Sequence, residues 1–74
     1  MKLPRVTGDL VVKALKRAEF EEVRMRGSHC HLYHLGKNKL VTVPVHAGKI
    51  VAPKTLKSIL KQAEISVAKF RELL

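Results

Sequence analysis

Apolar residues recur along the chain at two different periods. Within TGDLVVKALKRAEF, Leu10, Val11, Ala14, Leu15 and Ala18 fall at helical spacing, and Lys13, Lys16 and Arg17 lie off that stripe. Thr7 is the expected N-cap, and Asp9 stands in the first turn, where negative charge is favoured. From Phe20 the period shortens. In FEEVRMR, Val23 and Met25 alternate with Glu22, Arg24 and Arg26, the two-residue repeat of a strand. Gly27-Ser28 fits a type II′ hairpin turn, with glycine at the position that needs positive φ. HCHLYH is the returning strand, LGKN a second turn, and KLVTVPV a third strand with Val41, Val43 and Val45 on one face. Pro44 cannot donate to a ladder, so that strand is an edge or ends nearby. HAGKIVAPKT reads as a loop. A helix starting at Lys54 or Thr55 buries Leu56, Ile59, Leu60 and Ala63. Ser66 caps a short last helix with Val67, Phe70 and Leu74 on one face.

The order α-β-β-β-α-α predicts a single α+β domain over residues 1–74. Its simplest form is a three-stranded antiparallel meander with helices on one face and a short extra C-terminal helix. The other face of the sheet then meets solvent. A two-residue turn fixes the register. Arg26 lies opposite His29, Arg24 opposite His31 and Glu22 opposite Tyr33. Val23, Met25, Cys30, Leu32, Val41 and Val43 then share the inner face. The outer face collects Arg24, Arg26, His29, His31, Thr42 and Pro44, and His46 follows with the same parity. His34 points inward or sits at a strand end, as a structural histidine, and Cys30 is a small core residue.

Charge sharpens this picture. Lys and Arg total 15 against six acids, a formal charge of +9. Such an excess favours a polyanionic partner, because counterions released from nucleic acid drive basic proteins onto it. Three aromatic residues, Phe20, Tyr33 and Phe70, are too few for a base-stacking platform. One cysteine excludes an intrachain disulfide and a multi-thiolate zinc site. No apolar run reaches membrane-spanning length, and MKLPRVTGDL lacks the apolar core of a signal peptide, so a cytoplasmic protein is expected.

Three of the four histidines fall within RMRGSHCHLYH, beside two arginines. Guanidinium groups hold phosphate bidentately, and histidine moves protons near neutral pH. Together they suit the cutting of RNA: a base takes the 2′-hydroxyl proton, the oxygen attacks the adjacent phosphorus, and cations stabilise the charge that develops. The same residues equally suit phosphate-backbone binding without catalysis. His29, His31 and His46 also have the donor chemistry for Zn²⁺ or Ni²⁺, although adjacent arginines repel a dication.

RMRGSHCHLYH, followed by VTVPVHAGK and TLKSILKQAEIS, resembles the HicA toxin family of bacterial and archaeal toxin–antitoxin systems, from about Thr7 to Leu74. The resemblance implies a fold like double-stranded-RNA-binding domains and a metal-independent mRNA interferase without cofactors. It is neutralised by a HicB-type antitoxin, which commonly covers the basic face. It implies that His29, in the Gly-Ser-His motif, is the catalytic histidine. Arg24, Arg26, His31, His46 and Lys49 are then candidates for holding RNA phosphate. One departure stands out: Glu19 occupies the place of the glycine that closes the family's first helix, so the left-handed cap there lacks its usual residue.

Overall fold

A computed structural model describes residues 2–74. It contains α1 (Gly8–Arg17), β1 (Glu21–Arg26), β2 (His29–His34), β3 (Lys39–Pro44), α2 (Pro53–Ala63) and α3 (Val67–Leu73). The strands form one antiparallel sheet in the order β1-β2-β3. The expected α+β order is therefore the observed one.

The sheet buries one face. Cys30 and Leu32 from β2 and Val41 and Val43 from β3 join Val11, Leu15, Leu56, Ile59, Leu60 and Phe70 from the helices in a single core. No polar side chain is buried with them among the described residues. Val11, Val12, Ala14 and Leu15 are the buried stripe of α1. Val12 was not expected there, and Leu10, which was, is 44% exposed. In α3 the chain packs Leu73 against the core, where Leu74 was expected, and Leu74 stays exposed.

The roll of α1 is set at its first residue. A Cβ on Gly8 would stand 2.3 Å from the Pro44 carbonyl oxygen and 2.9 Å from Val45 Cα. Only a residue without a side chain lets α1 start this close to the end of β3. The helix stops in a Schellman arrangement. Glu19 N–H donates to Lys16 O at 3.0 Å and Phe20 N–H donates to Leu15 O at 3.0 Å. Glu19 takes φ +71°, the left-handed conformation that glycine would adopt freely.

The expected register holds near the first turn and fails further along β1. Arg26 pairs with His29 and Arg24 with His31, and Gly27 has φ +58° as a type II′ turn requires. Between Glu22 and Arg24 the pairing slips by one residue. Glu21, not Glu22, therefore faces Tyr33, and Glu22 faces Leu32. Val23 is the unpaired residue of this bulge and is 57% exposed, against the inward position expected of it. Met25 pairs with Cys30 as expected, yet lies 51% exposed at the outer strand. On the other side, β2 and β3 pair from His29↔Pro44 to His34↔Lys39 around the four-residue loop 35–38. The third strand ends at Pro44, so Val45 and His46 lie beyond it.

Candidate active site

The open face of the sheet is built from three cross-strand rows. Glu21, Tyr33 and Leu40 form one, Arg24, His31 and Thr42 the next, and Arg26, His29 and Pro44 the last. On this face the two arginines thus stand toward the end of the sheet that carries the Gly27–Ser28 turn. That end also gathers the loop after β3 and the starts of both long helices. Val45 N–H donates to Ser28 O at 2.6 Å, extending the ladder one bond past Pro44. Gly8 opens α1 against Pro44 and Val45. Val51 N–H donates to Val6 O at 2.8 Å, which brings the start of α2 alongside the start of α1.

His29 is the first residue of β2 and is exposed. Its side chain has no hydrogen-bond partner among the described residues, so both ring nitrogens face solvent unengaged. His31, two residues on and on the same face, is half-buried. Its Nδ1 lies 2.9 Å from Thr42 Oγ1. That contact anchors one side of the ring and leaves Nε2 as the atom free to act. Two residues of strand separate the histidines by about 7 Å. Arg24 and Arg26 are exposed and make neither an ion pair nor a side-chain hydrogen bond among the described residues. Several cations elsewhere are engaged internally: Lys16 with Glu22 at 3.5 Å, Lys39 with Glu64 at 3.1 Å, Lys37 with Ala63 O and Arg17 with Leu73 O.

His46 and Lys49 sit in the exposed loop after β3, joined by the bond from Lys49 N–H to His46 O at 2.9 Å. They share the turn end of the sheet with His29 but lie outside the paired rows. His34 has a different role. Its Nδ1 accepts from Lys37 N–H at 3.0 Å and its ring meets Phe20 edge-on at 5.1 Å. It closes the far end of the core, as a structural histidine would. Among the described residues no three histidine, cysteine or acidic side chains converge in a way that would hold a metal ion.

Cys30 lies between the two site histidines in sequence but faces the core, 2% exposed. Burial pushes its thiol pKa up, and the charge and hydrogen bond of Glu22 push it further, with Lys16 pulling weakly the other way. The bulge in β1 is what brings Glu22 to that side of the sheet. The thiol therefore stays protonated and is no nucleophile. Sequence spacing sets Thr42 and His31 on one face, and the structure adds the bond between their side chains.

The arrangement defines a small basic α+β domain whose open sheet face carries, among the described residues, unpaired arginines beside an exposed histidine and a half-buried one. Residues 8–65 match the family model described as the HicA toxin of bacterial toxin–antitoxin systems, and the chain belongs to that family. No curated protein matches it. Family membership makes the protein a toxin and implies an antitoxin partner. No helix among the described residues is long and apolar enough to cross a membrane.

Proposed function

We propose that this toxin is a metal-independent endoribonuclease of a type II toxin–antitoxin system, with His29 as its general base. The observation that carries the reading is the single face on which exposed His29 stands beside His31, Arg24 and Arg26. His29 takes the proton from a ribose 2′-hydroxyl. The 2′-oxygen forms a bond to the adjacent phosphorus, and the bond from phosphorus to the 5′-oxygen breaks. The leaving oxygen takes a proton from His31, whose ring is steadied by Thr42, or from water. The separation of about 7 Å along the strand leaves space for a phosphate between the two rings. Arg24 and Arg26 neutralise the charge that grows on the phosphoryl oxygens. His46 and Lys49 extend the cationic surface for the phosphates that follow. The products are a 2′,3′-cyclic phosphate and a 5′-hydroxyl.

The same face explains how the toxin is silenced. A HicB-type antitoxin that lays carboxylates over Arg24 and Arg26 would both associate fast and occlude the phosphate site. One observation favours the rival reading of a non-catalytic RNA-binding module: among the described residues no neighbouring group orients the His29 ring. Digestion of a defined RNA with EDTA present separates the two. A ribonuclease yields fragments ending in 2′,3′-cyclic phosphate and 5′-hydroxyl. Intact RNA held in a complex would establish the binding module instead. Cleavage that EDTA abolishes would refute metal independence.

A further inference from the structure

A second feature, of mixed polar and apolar lining, adjoins the open face at its β3 edge. There, β3 and α2 border an open, shallow groove of about 420 Å³ lined by Thr42, Lys54, Thr55, Ser58, Ile59 and Gln62. Lys54, Ser58 and Gln62 recur every fourth residue and form one ridge along α2, while Thr55 and Ile59 line the groove beside them. On the opposite wall stands Thr42, whose hydroxyl contacts His31. The groove and the histidine face therefore share a residue. The lining is hydroxyls, an amide and one ammonium, with a single apolar side chain and no aromatic. Hydroxyls and amides both donate and accept, which suits the edge of a nucleobase or a ribose 2′-hydroxyl. The ammonium suits phosphate. Without an aromatic ring the groove would recognise a nucleotide by hydrogen bonds rather than by stacking.

We propose that this groove is a nucleotide-specificity subsite, which takes one nucleotide of the RNA flanking the scissile pair and reads it through Ser58, Gln62 and Thr55. The proposal rests on the ribonuclease reading given above. Its place in the chain of nucleotides follows from the sheet. The scissile phosphate lies over β1 and β2 on the open face, whereas α2 packs behind the sheet, so the groove is reached by passing round the β3 edge beside Thr42. An RNA strand that crosses the sheet past Thr42 and turns round the β3 edge enters it after leaving the catalytic rows. Such a subsite would contribute binding energy without touching the reacting atoms, so its loss should appear in KM and leave kcat alone.

The test is the double variant Ser58→Ala/Gln62→Ala. Both residues are exposed on a helix that tolerates alanine, and the substitutions leave the net charge unchanged. A loss of affinity therefore cannot come from a weaker general field. Binding is measured by fluorescence anisotropy with an RNA oligomer carrying a 2′-deoxy group at the scissile position. Cleavage is measured in parallel with the all-ribose oligomer and with a dinucleotide containing only the scissile pair. The variant should bind the oligomer about tenfold more weakly and raise its KM by a similar factor. Its kcat and its turnover of the dinucleotide should stay at wild-type values. Wild-type affinity for the oligomer would overturn the subsite, as would an equal loss on the dinucleotide. If the wild-type chain binds the oligomer but cleaves nothing, the ribonuclease reading fails by itself. The anisotropy comparison still decides whether the groove holds RNA.

Discussion

Replacing Gly8 by alanine adds one methyl group where the structure has no room for it. The new carbon would sit 2.3 Å from the Pro44 oxygen and 2.9 Å from Val45 Cα, and real Cβ atoms essentially never come within 3.0 Å of such neighbours. Both obstacles are backbone, so no side chain can swing aside. Either α1 lifts away from β3, or the end of β3 moves. Overpacking of this kind costs about 1–3 kcal/mol. Alanine's better helix propensity offsets at most about 1 kcal/mol of that, and less at a first helical position. A net loss of about 1–2 kcal/mol in a chain of this size lowers Tm by roughly 4–16 °C. The displacement also reaches the candidate site, since Pro44 pairs with His29 and Val45 binds the Ser28 carbonyl. Thermal unfolding followed by circular dichroism measures the loss. A Gly8→Ala variant with a Tm equal to or above wild type would show that α1 does not approach β3 as described.

Other perturbations test other parts of the molecule. Glu19→Gly should stabilise the fold by about 0.5–1 kcal/mol in urea denaturation, because glycine accepts φ +71° without strain; a destabilised variant would contradict the left-handed cap. Cys30 has a thiol pKa raised in the folded state, so folding holds its proton and stability should fall as pH rises above the ordinary thiol value. Cys30→Ala should remove that part of the slope, and an unchanged pH profile would show that the thiol does not contribute. Arg24→Gln or Arg26→Gln should reduce the slope of log RNA affinity against log salt by up to about one unit for each phosphate left without its guanidinium. An unchanged slope would place both guanidinium groups away from the RNA.

The sequence was most legible where a strand is central. In β2 the alternation HCHLYH meets a neighbour on each side, so parity alone decides that Cys30 and Leu32 are buried and that His29 and His31 face out. The tight Gly27–Ser28 turn carries the same parity onto Arg24 and Arg26, and the composition of the open face follows. The edge strand was less legible. EEVRMR alternates equally well with or without an extra residue, so nothing in it announces the bulge that exposes Val23 and turns Glu22 toward Cys30. In α1, Leu10, Val11 and Val12 are all apolar, and periodicity cannot choose which of them faces the sheet. The choice is made by the close approach of Gly8 to Pro44, a contact between distant parts of the chain. The bond from Thr42 to His31 depends on side-chain rotamers, and the groove under β3 on how α2 lies against the sheet; neither is written in spacing.

The role given to His29 is tested most directly by single-turnover cleavage of one RNA by wild type and by His29→Ala, with the fold of the variant verified by circular dichroism. His29 is exposed beside a turn, so its truncation leaves no cavity and the variant should fold. Loss of a general base should slow cleavage by about 10²–10⁴-fold with RNA affinity nearly unchanged. A folded His29→Ala protein that cuts the same RNA within a few-fold of the wild-type rate would contradict the assignment.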